Sequence, residues 1–562
     1  MGMLKRSYIY VLLLGLSLLS CGKENDPDSG NGTPADDTTP PKEYTISGTV
    51  SGDDGALLQG VVVSDGVHCV KTNSKGKYYI SSDIKATDYV FVSTPSGYAA
   101  PVMEGHACFW KFLTDCTPSA DGKYTIDFAL KKISNPERFT VFIYADPQPR
   151  KSSAGLDKLG YHSLDCCNDM YRDMRELAAT MRDRPVYGIG LGDIVHQDLT
   201  LLPVYRQGMT TTGITTYNVI GNHDHGHRLM EDALASKDYE AIMGPANFSF
   251  NLGGMHFLML DNMISGDPAA GKYCDECTTG LTDAIWEWVQ NDLAQVSVTT
   301  PLMVCAHSPM MRGFNDAKTG GKDRSGLHVG DLKNLLSKYT KAYVWAGHTH
   351  ATYNYVDKAN PGIESHTLSR VTGALWSNDY LGSNGTPRGY VIFEYDHGEI
   401  SWSFKPTFYQ SGSFVGTYGG GDGTPPAYVW RDWNYVGGKA VLKTDGKDLD
   451  ASYQMQLFPP GTYGDAYLYA NIFLWDELWQ MPRFVSGGEQ TPMKRVTDND
   501  FRYSFSDWEI TSFYNKKIPS EFIPSKNNTD SMFRVYVDSA HGSGKVTVRD
   551  RFGNEHSSTI TW

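Results

Sequence analysis

The stretch Tyr217-Asn218-Val219-Ile220-Gly221-Asn222-His223-Asp224 decides how this chain is read. A short apolar run with the length of a buried strand ends in an amide, an imidazole and a carboxylate. Groups able to handle metals or protons therefore stand at one sheet edge. Taken alone, Gly221–Asp224 is also what an ordinary turn looks like. Its meaning depends on whether other strands deliver partners to the same edge.

Working outward, they do. The apolar run Phe139–Tyr144 is followed by Asp146 and Gln148, and Val186–Leu191 by Gly192-Asp193-Ile194-Val195-His196. Leu302–Cys305 leads to His307, and Ala342–Trp345 to Gly347-His348-Thr349-His350. Between these runs the apolar spacing predicts amphipathic helices over 163–183 (Leu164, Cys167, Met170, Met174, Leu177 and Met181 on one face), 282–296 and 330–339. Further strands are expected at 256–260, 366–374 and 389–404. Strands alternating with helices predict an α/β domain with a layered sheet, whose ligand site lies beyond the strand carboxyl ends. Turn chemistry accounts for any single Asp or Asn after a strand, but not for five strands ending in this way. Carboxylate, carboxamide and imidazole together suit Mn, Fe or Zn. The glycines before Asp193, Asn222 and His348 let the backbone turn sharply and approach the site closely.

Asp-x-Gln, Gly-Asp, Gly-Asn-His-Asp, a lone His and Gly-His-x-His, in that order, resemble the calcineurin-like metallophosphoesterase superfamily over about residues 138–405. The resemblance implies a layered β-sandwich flanked by helices and a centre of two divalent metal ions (Mn, Fe or Zn, with Mg a further option). By it, Asp146, Gln148, Asp193 and His350 would hold one ion. Asp193 would bridge to a second, held also by Asn222, His307 and His348. His223 would bind no metal and would act on the scissile phosphate. The departure is Gln148, where most members carry His. An amide oxygen is the weaker and harder ligand, so a looser first ion leaning towards Mn or Mg is expected. Paired metals about 3.5–4 Å apart lower a bridging water's pKa to roughly 7 and aim it at phosphorus, with His223 stabilising the transition state or protonating the leaving oxygen. His196, Trp376, Asn384 and Arg388 are candidate substrate contacts, Arg388 for a non-transferred phosphate or sugar. Asp198 and Asn378 stand in the same loops, and His225 and His227 are read as helix-start or rim residues.

The remaining sequence sets the context. A chain of 562 residues is too long for one core, and about three domains are expected. The formal charge of −14 excludes a nucleic-acid backbone as a stable partner and requires a local positive site for a phosphoester. Two divalent ions against Asp146 and Asp193 supply one.

Residues 1–21 read as a lipoprotein signal, with Lys5 and Arg6 before an apolar run ending in Leu18-Leu19-Ser20-Cys21; Cys21 is the candidate lipidation site. Residues 22–42 read as a flexible tether, and the expected address is the cell envelope, through an outer-membrane lipid anchor. Short strands broken by Gly and Asp over 43–133 predict an N-terminal β-sandwich similar to carboxypeptidase regulatory-like modules, a spacer or docking module. The phosphoesterase-like domain is assigned to 136–405 and a C-terminal β-sandwich to 406–562. In the latter, Trp430, Trp433, Trp475, Trp479, Trp508 and Trp562 are read as core, with a carbohydrate-stacking platform the alternative. Both flanking regions also resemble modules attached to some bacterial members. Cys274–Cys277 and Cys108–Cys116 are candidate loop disulfides, and Cys305 a buried thiol.

The leading expectation is hydrolysis of small or glycan-linked phosphoesters. The rivals are a non-catalytic glycan- or partner-binding lipoprotein and a protein serine/threonine phosphatase.

Overall fold

Strand β1 (Arg138–Tyr144) is buried along its length after Arg138. Its side chains alternate between two cores, as strand geometry requires. Phe139, Val141 and Ile143 join one, and Phe142 and Tyr144 the other. The computed structural model in which this is seen describes residues 40–150, 163–226, 231–266, 277–311, 326–373, 382, 384–407, 416–417, 427–428, 433–436, 439–442, 454–496, 502–503, 527–529, 531–538 and 541–562. Cys21, the tether up to residue 39, His227, Cys274, Trp376, Asn378, Trp430 and Trp508 lie outside these residues.

The central region contributes two mixed sheets. Its further strands are β2 (Val186–Leu191), β3 (Thr215–Val219), β4 (Phe248–Leu252), β5 (Met255–Leu260), β6 (Leu302–Ala306), β7 (Ala342–Ala346), β8 (Tyr353–Val356), β9 (Ile363–Thr367), β10 (Gly389–Asp396) and β11 (Glu399–Pro406). One sheet runs β11-β10-β1-β2-β3 and the other β4-β5-β6-β7-β9-β8. Within them β1, β2 and β3 are mutually parallel, as are β5, β6, β7 and β9. The sheets share one core, where Tyr217 stacks on Phe250 at 3.9 Å between ring centres. Helices α1 (Ser163–Thr180) and α2 (Leu202–Thr210) cover the first sheet with Cys167, Met170, Met174, Leu202, Tyr205 and Met209. Helices α3 (Asp283–Leu293) and α4 (Val329–Leu336) bring Trp288, Val289, Leu293, Leu332 and Leu336 to the core of the second.

Three differences from the sequence reading have physical causes. Helix α1 stops at Thr180 rather than 183, close before Pro185, which disfavours helix in the residue preceding it. The strand expected over 366–374 lies earlier, because residues 368–373 leave the second sheet and Arg370 bridges to Ala145 beyond β1. The expected strand 389–404 is a hairpin, turned at His397 and Gly398 with φ of 50° and 96°.

The N-terminal region is more than a spacer. Its hairpin of Val102–Met103 and His106–Ala107 extends the first sheet, with His106 paired in parallel to Thr216 of β3. Phe109 packs against Phe248 at 4.6 Å and Tyr217 at 6.1 Å between centroids. Cys108 and Cys116 are free thiols, turned towards the carbonyls of His106 and Phe112, so the expected disulfide is not formed. Cys305 is a buried free thiol.

The C-terminal region pairs two four-stranded sheets and docks by side chains. The Gln454 amide donates to the Phe404 carbonyl at 2.6 Å and accepts from its N–H at 3.3 Å. Arg551 donates to Glu364 at 2.8 Å and to Asp476 at 3.1 Å, and lies over Trp402. Trp475, Trp479 and Trp562 are buried in this region's core, which favours packing over a stacking platform for these three.

Candidate metal centre

The carboxyl ends of β1, β2, β3, β6 and β7 meet where the two sheets adjoin, and the side chains that follow them converge. The deep side of the cluster is Asp146, Gln148, Asp193 and His307, all at most 1% exposed. Asn222, His348 and His350 lie on its more open side.

Two donor groups share one residue. Asp146, Asp193 and His350 place one ligand atom each within 4.8 Å of one another, and so do Asp193, His307 and His348. His350 Nε2 is 3.3 Å from Asp146 Oδ1. His307 Nε2 is 3.2 Å from Asp193 Oδ1, and His348 Nδ1 stands 3.0 Å from Asn222 Oδ1 and 3.2 Å from His307 Nε2.

The backbone explains how the groups come so close. Asp146, Gln148, Asp193, His348 and His350 all have positive φ, between 40° and 66°. Such conformations are uncommon outside glycine and cluster at functional sites. Gly192, at φ 82°, passes so near His307 that a Cβ would stand 2.6 Å from its ring nitrogen Nδ1. A Cβ on Gly221 would collide with the backbone nitrogen and carboxylate of Asp193.

Supporting hydrogen bonds set the aim of each side chain. The Leu191 carbonyl lies 2.8 Å from His307 Nδ1, which leaves Nε2 to face the cluster. Gln148 donates through Nε2 to Asp193 Oδ2 at 2.8 Å. That fixes the amide and leaves its buried Oε1 with no hydrogen-bond partner among the described residues. A buried lone pair without a donor is costly, and the ring nitrogens of His348 and His307 approach to 3.2 Å in the same cluster. Oxygen- and nitrogen-bearing donors arranged in this way fit divalent cations.

Asp224 belongs to the framework. It accepts from the N–H groups of Ile194, Val195 and Gly221, each at 2.9 Å, and so ties the loop after β2 to the loop after β3. Burial and the neighbouring Asp193 raise its carboxyl to about 7, while these three N–H groups favour the ionised form. Asp193 and His307 shift each other. Burial would raise Asp193, but the His307 imidazolium holds it well below the carboxylate range. Burial would lower His307, but the Asp193 carboxylate pushes it up to about 10.

On the open side, the His223 side chain is 23% exposed and its ring packs on His196, with ring centres 4.2 Å apart and planes tilted by 36°. His223 N–H donates to Asp193 Oδ1 at 2.9 Å, and its Nε2 lies 3.9 Å from Asp193 Oδ2. His196 and His223 are thus brought to the mouth together.

Other sequence candidates go elsewhere. Arg388 is 1% exposed and donates to Asp169 of α1 at 2.8 Å, an ion pair behind the first sheet rather than a rim contact. Asn384 is equally buried and donates to the Thr352 carbonyl at 2.9 Å, which assigns it to holding the loop. His225 is no rim residue either: it is buried between the Gly221 carbonyl and Asp261. Asn262 and Arg370 were not found by sequence reasoning. Asn262 Oδ1 accepts the N–H of both His307 and Ser308. Its place directly after β5 is the signal that would have found it.

Comparison with known proteins agrees with the sequence resemblance at both ends of the chain. Residues 44–133 match the family described as the N terminal of calcineurin-like phosphoesterase, and residues 415–556 match the C terminal of calcineurin-like phosphoesterase. Purple acid phosphatase 15 of Arabidopsis thaliana is 32% identical over 123 residues, 20% of each chain, so this chain spans a fifth of that relative's length. Similar solved structures include a dimetal phosphatase from Danio rerio, at 12% identity and a TM-score of 0.33 over 48% of this chain and 96% of that one. Purple acid phosphatase PPD1 from yellow lupin (Lupinus luteus) is similar at 14% identity and a TM-score of 0.34, over 60% and 56% of the two chains.

Proposed function

We propose that this chain, whose flanking regions match the two termini of calcineurin-like phosphoesterases, is a binuclear metal-dependent phosphoesterase. The observation that carries the reading is the pair of donor groups joined at Asp193. Asp146, Gln148, Asp193 and His350 would hold the first ion, and Asp193, Asn222, His307 and His348 the second. When bound, two such ions supply Lewis acidity and a nucleophile at neutral pH. The chain's own part is to hold them with buried carboxylates, to keep Asp193 and His307 in register through the Leu191 carbonyl, and to present His223 at the open mouth. There His223 stabilises charge or protonates the leaving oxygen, with His196 packed against it.

The envelope address, with Cys21 lipid-anchored, rests on the sequence at the amino end. It fits scavenging of small or glycan-linked phosphoesters.

The two donor sets differ. Three oxygens and one imidazole at the first position suit Mn or Mg, while two imidazoles at the second suit Zn or Fe. Metal-stripped protein titrated with Mn in a calorimeter is therefore expected to show two unequal steps, with His350→Ala removing the weaker one only. A single step of two equivalent ions would contradict this asymmetry. Replacing His223 by Ala is expected to lower kcat by about 10²–10⁴-fold with both ions retained, checked by metal content beside turnover. The function itself is tested with aryl phosphate and bis-aryl phosphate on stripped protein reloaded with Mn, Zn or Mg. Failure to hydrolyse either, in any metal, overturns the enzyme reading in favour of a glycan- or partner-binding protein.

A further inference from the structure

Arg370 is among the largest fully buried side chains, at 1% exposure. Its segment runs beside the end of β1, where Val371 N–H donates to the Ala145 carbonyl at 2.9 Å. Among the described residues, all of its guanidinium hydrogen bonds go to backbone carbonyls. Nε donates to Asp146 at 3.2 Å, Nη2 to Pro147 at 3.3 Å and Gln148 at 3.4 Å, and Nη1 to Gly373 at 3.4 Å. Thr372 Oγ1 donates to the same Pro147 carbonyl at 3.0 Å. Among the described residues no carboxylate pairs with this guanidinium.

A buried guanidinium with no carboxylate in hydrogen-bond contact is costly, and the charges of Asp146 and Asp193 nearby offset only part of that cost. Three of the four carbonyls it gathers belong to the consecutive residues Asp146, Pro147 and Gln148, and two of these, Asp146 and Gln148, have φ of 50° and 40°. Left-handed backbone at non-glycine residues costs about 1–3 kcal/mol each and persists only where the surroundings over-determine it. The guanidinium fork is the over-determining group. It draws the carbonyls to one side, while on the other the Asp146 carboxylate meets His350 and Gln148 Nε2 meets Asp193.

We infer that Arg370 is a positioning residue for the first metal position: through the carbonyls of Asp146, Pro147 and Gln148 it sets how tightly that position, and not the second, holds its ion. The inference rests on the proposed binuclear centre. It also shows how a carboxamide serves at a place where an imidazole would bind more strongly. The Gln148 side chain is weak as a donor but is aimed by its clamped backbone and by Asp193.

The test is a calorimetric Mn titration of the stripped full chain, with bound metal per chain counted by mass spectrometry. Arg370→Met should weaken the weaker step by about 10–100-fold, the range for groups that orient metal ligands, and leave the tighter step unchanged. Arg370→Lys should fall between, because one ammonium cannot span three carbonyls in a fixed fork. Thr372→Val should shift the same step by a smaller factor; it keeps the guanidinium and serves if Arg370→Met does not fold. Equal weakening of both steps, or an unchanged weaker step in the folded variants, overturns the inference. Two steps in the parent protein with no change in the variants sink only Arg370's role. A parent protein that takes up no ion sinks the binuclear reading and this inference with it.

Discussion

Replacing Asp193 by Asn is expected to abolish phosphoester hydrolysis and to weaken both metal positions together. Asp193 is the one residue common to the two donor groups, and it is 1% exposed. Its oxygens already accept from Gln148 Nε2 and from the His223 N–H, and Oδ1 stands 3.2 Å from His307 Nε2. Asn keeps the size but removes the charge and turns one acceptor into a donor, which must then face donors. Changes beside metal ligands cost about 10–100-fold. On the proposed binuclear reading Asp193 serves two ions, so its loss is expected to cost roughly the product of two such losses, ~10²–10⁴-fold, in affinity and at least as much in turnover. Metal per chain and aryl phosphate hydrolysis measure both. A fully active Asp193→Asn protein would remove the two-metal reading.

The second large effect concerns stability and lies far from the chemistry. Phe109→Ala is expected to destabilise the protein by about 3–5 kcal/mol, the range for emptying a buried aromatic site. Phe109 is 3% exposed and packs on Phe91, Trp110, Tyr217 and Phe248. Its ring therefore joins the N-terminal region to both central sheets. Urea unfolding of the full chain measures the loss, and a change under 1 kcal/mol would show that the N-terminal region is energetically separate. Removing residues 44–133 goes further. It strips His106 from Thr216 and leaves β3 as an open edge with unpaired backbone groups, the situation that promotes aggregation. Soluble, folded protein lacking those residues would count against this integration.

Much of the site was legible because its members follow apolar runs. Asp146, Asp193, Asn222, His307 and His348 each stand within three residues of a strand's end, so a reader of strands finds them by position. Arg388 and Asn384 misled because the sequence carries no sign of what lies opposite them. The ion pair of Arg388 with Asp169 spans more than 200 residues, and nothing local announces it. Arg370 was invisible for the same reason, since its acceptors are backbone carbonyls that any residue would provide. In the fold, periodicity found α1, α3 and α4, but α2 is short and begins behind a one-turn helix at Leu199–Leu201. The extension of the first sheet by Val102–Met103 and His106–Ala107 rests on strands of two residues each. Such strands are too brief for alternation to show.

The left-handed backbone at Asp146, Gln148, Asp193, His348 and His350 bears on folding as much as on catalysis. Each such residue is a small debit against the native state, released when the chain unfolds. An ion that binds only the folded form offsets it by mass action, by about 2.7 kcal/mol at a hundredfold excess over its dissociation constant. On the proposed metal-binding reading, the melting temperature of this protein is expected to be a gauge of its ion supply. A chelator, harmless to most folds, is then expected to act on this one as a mild denaturant.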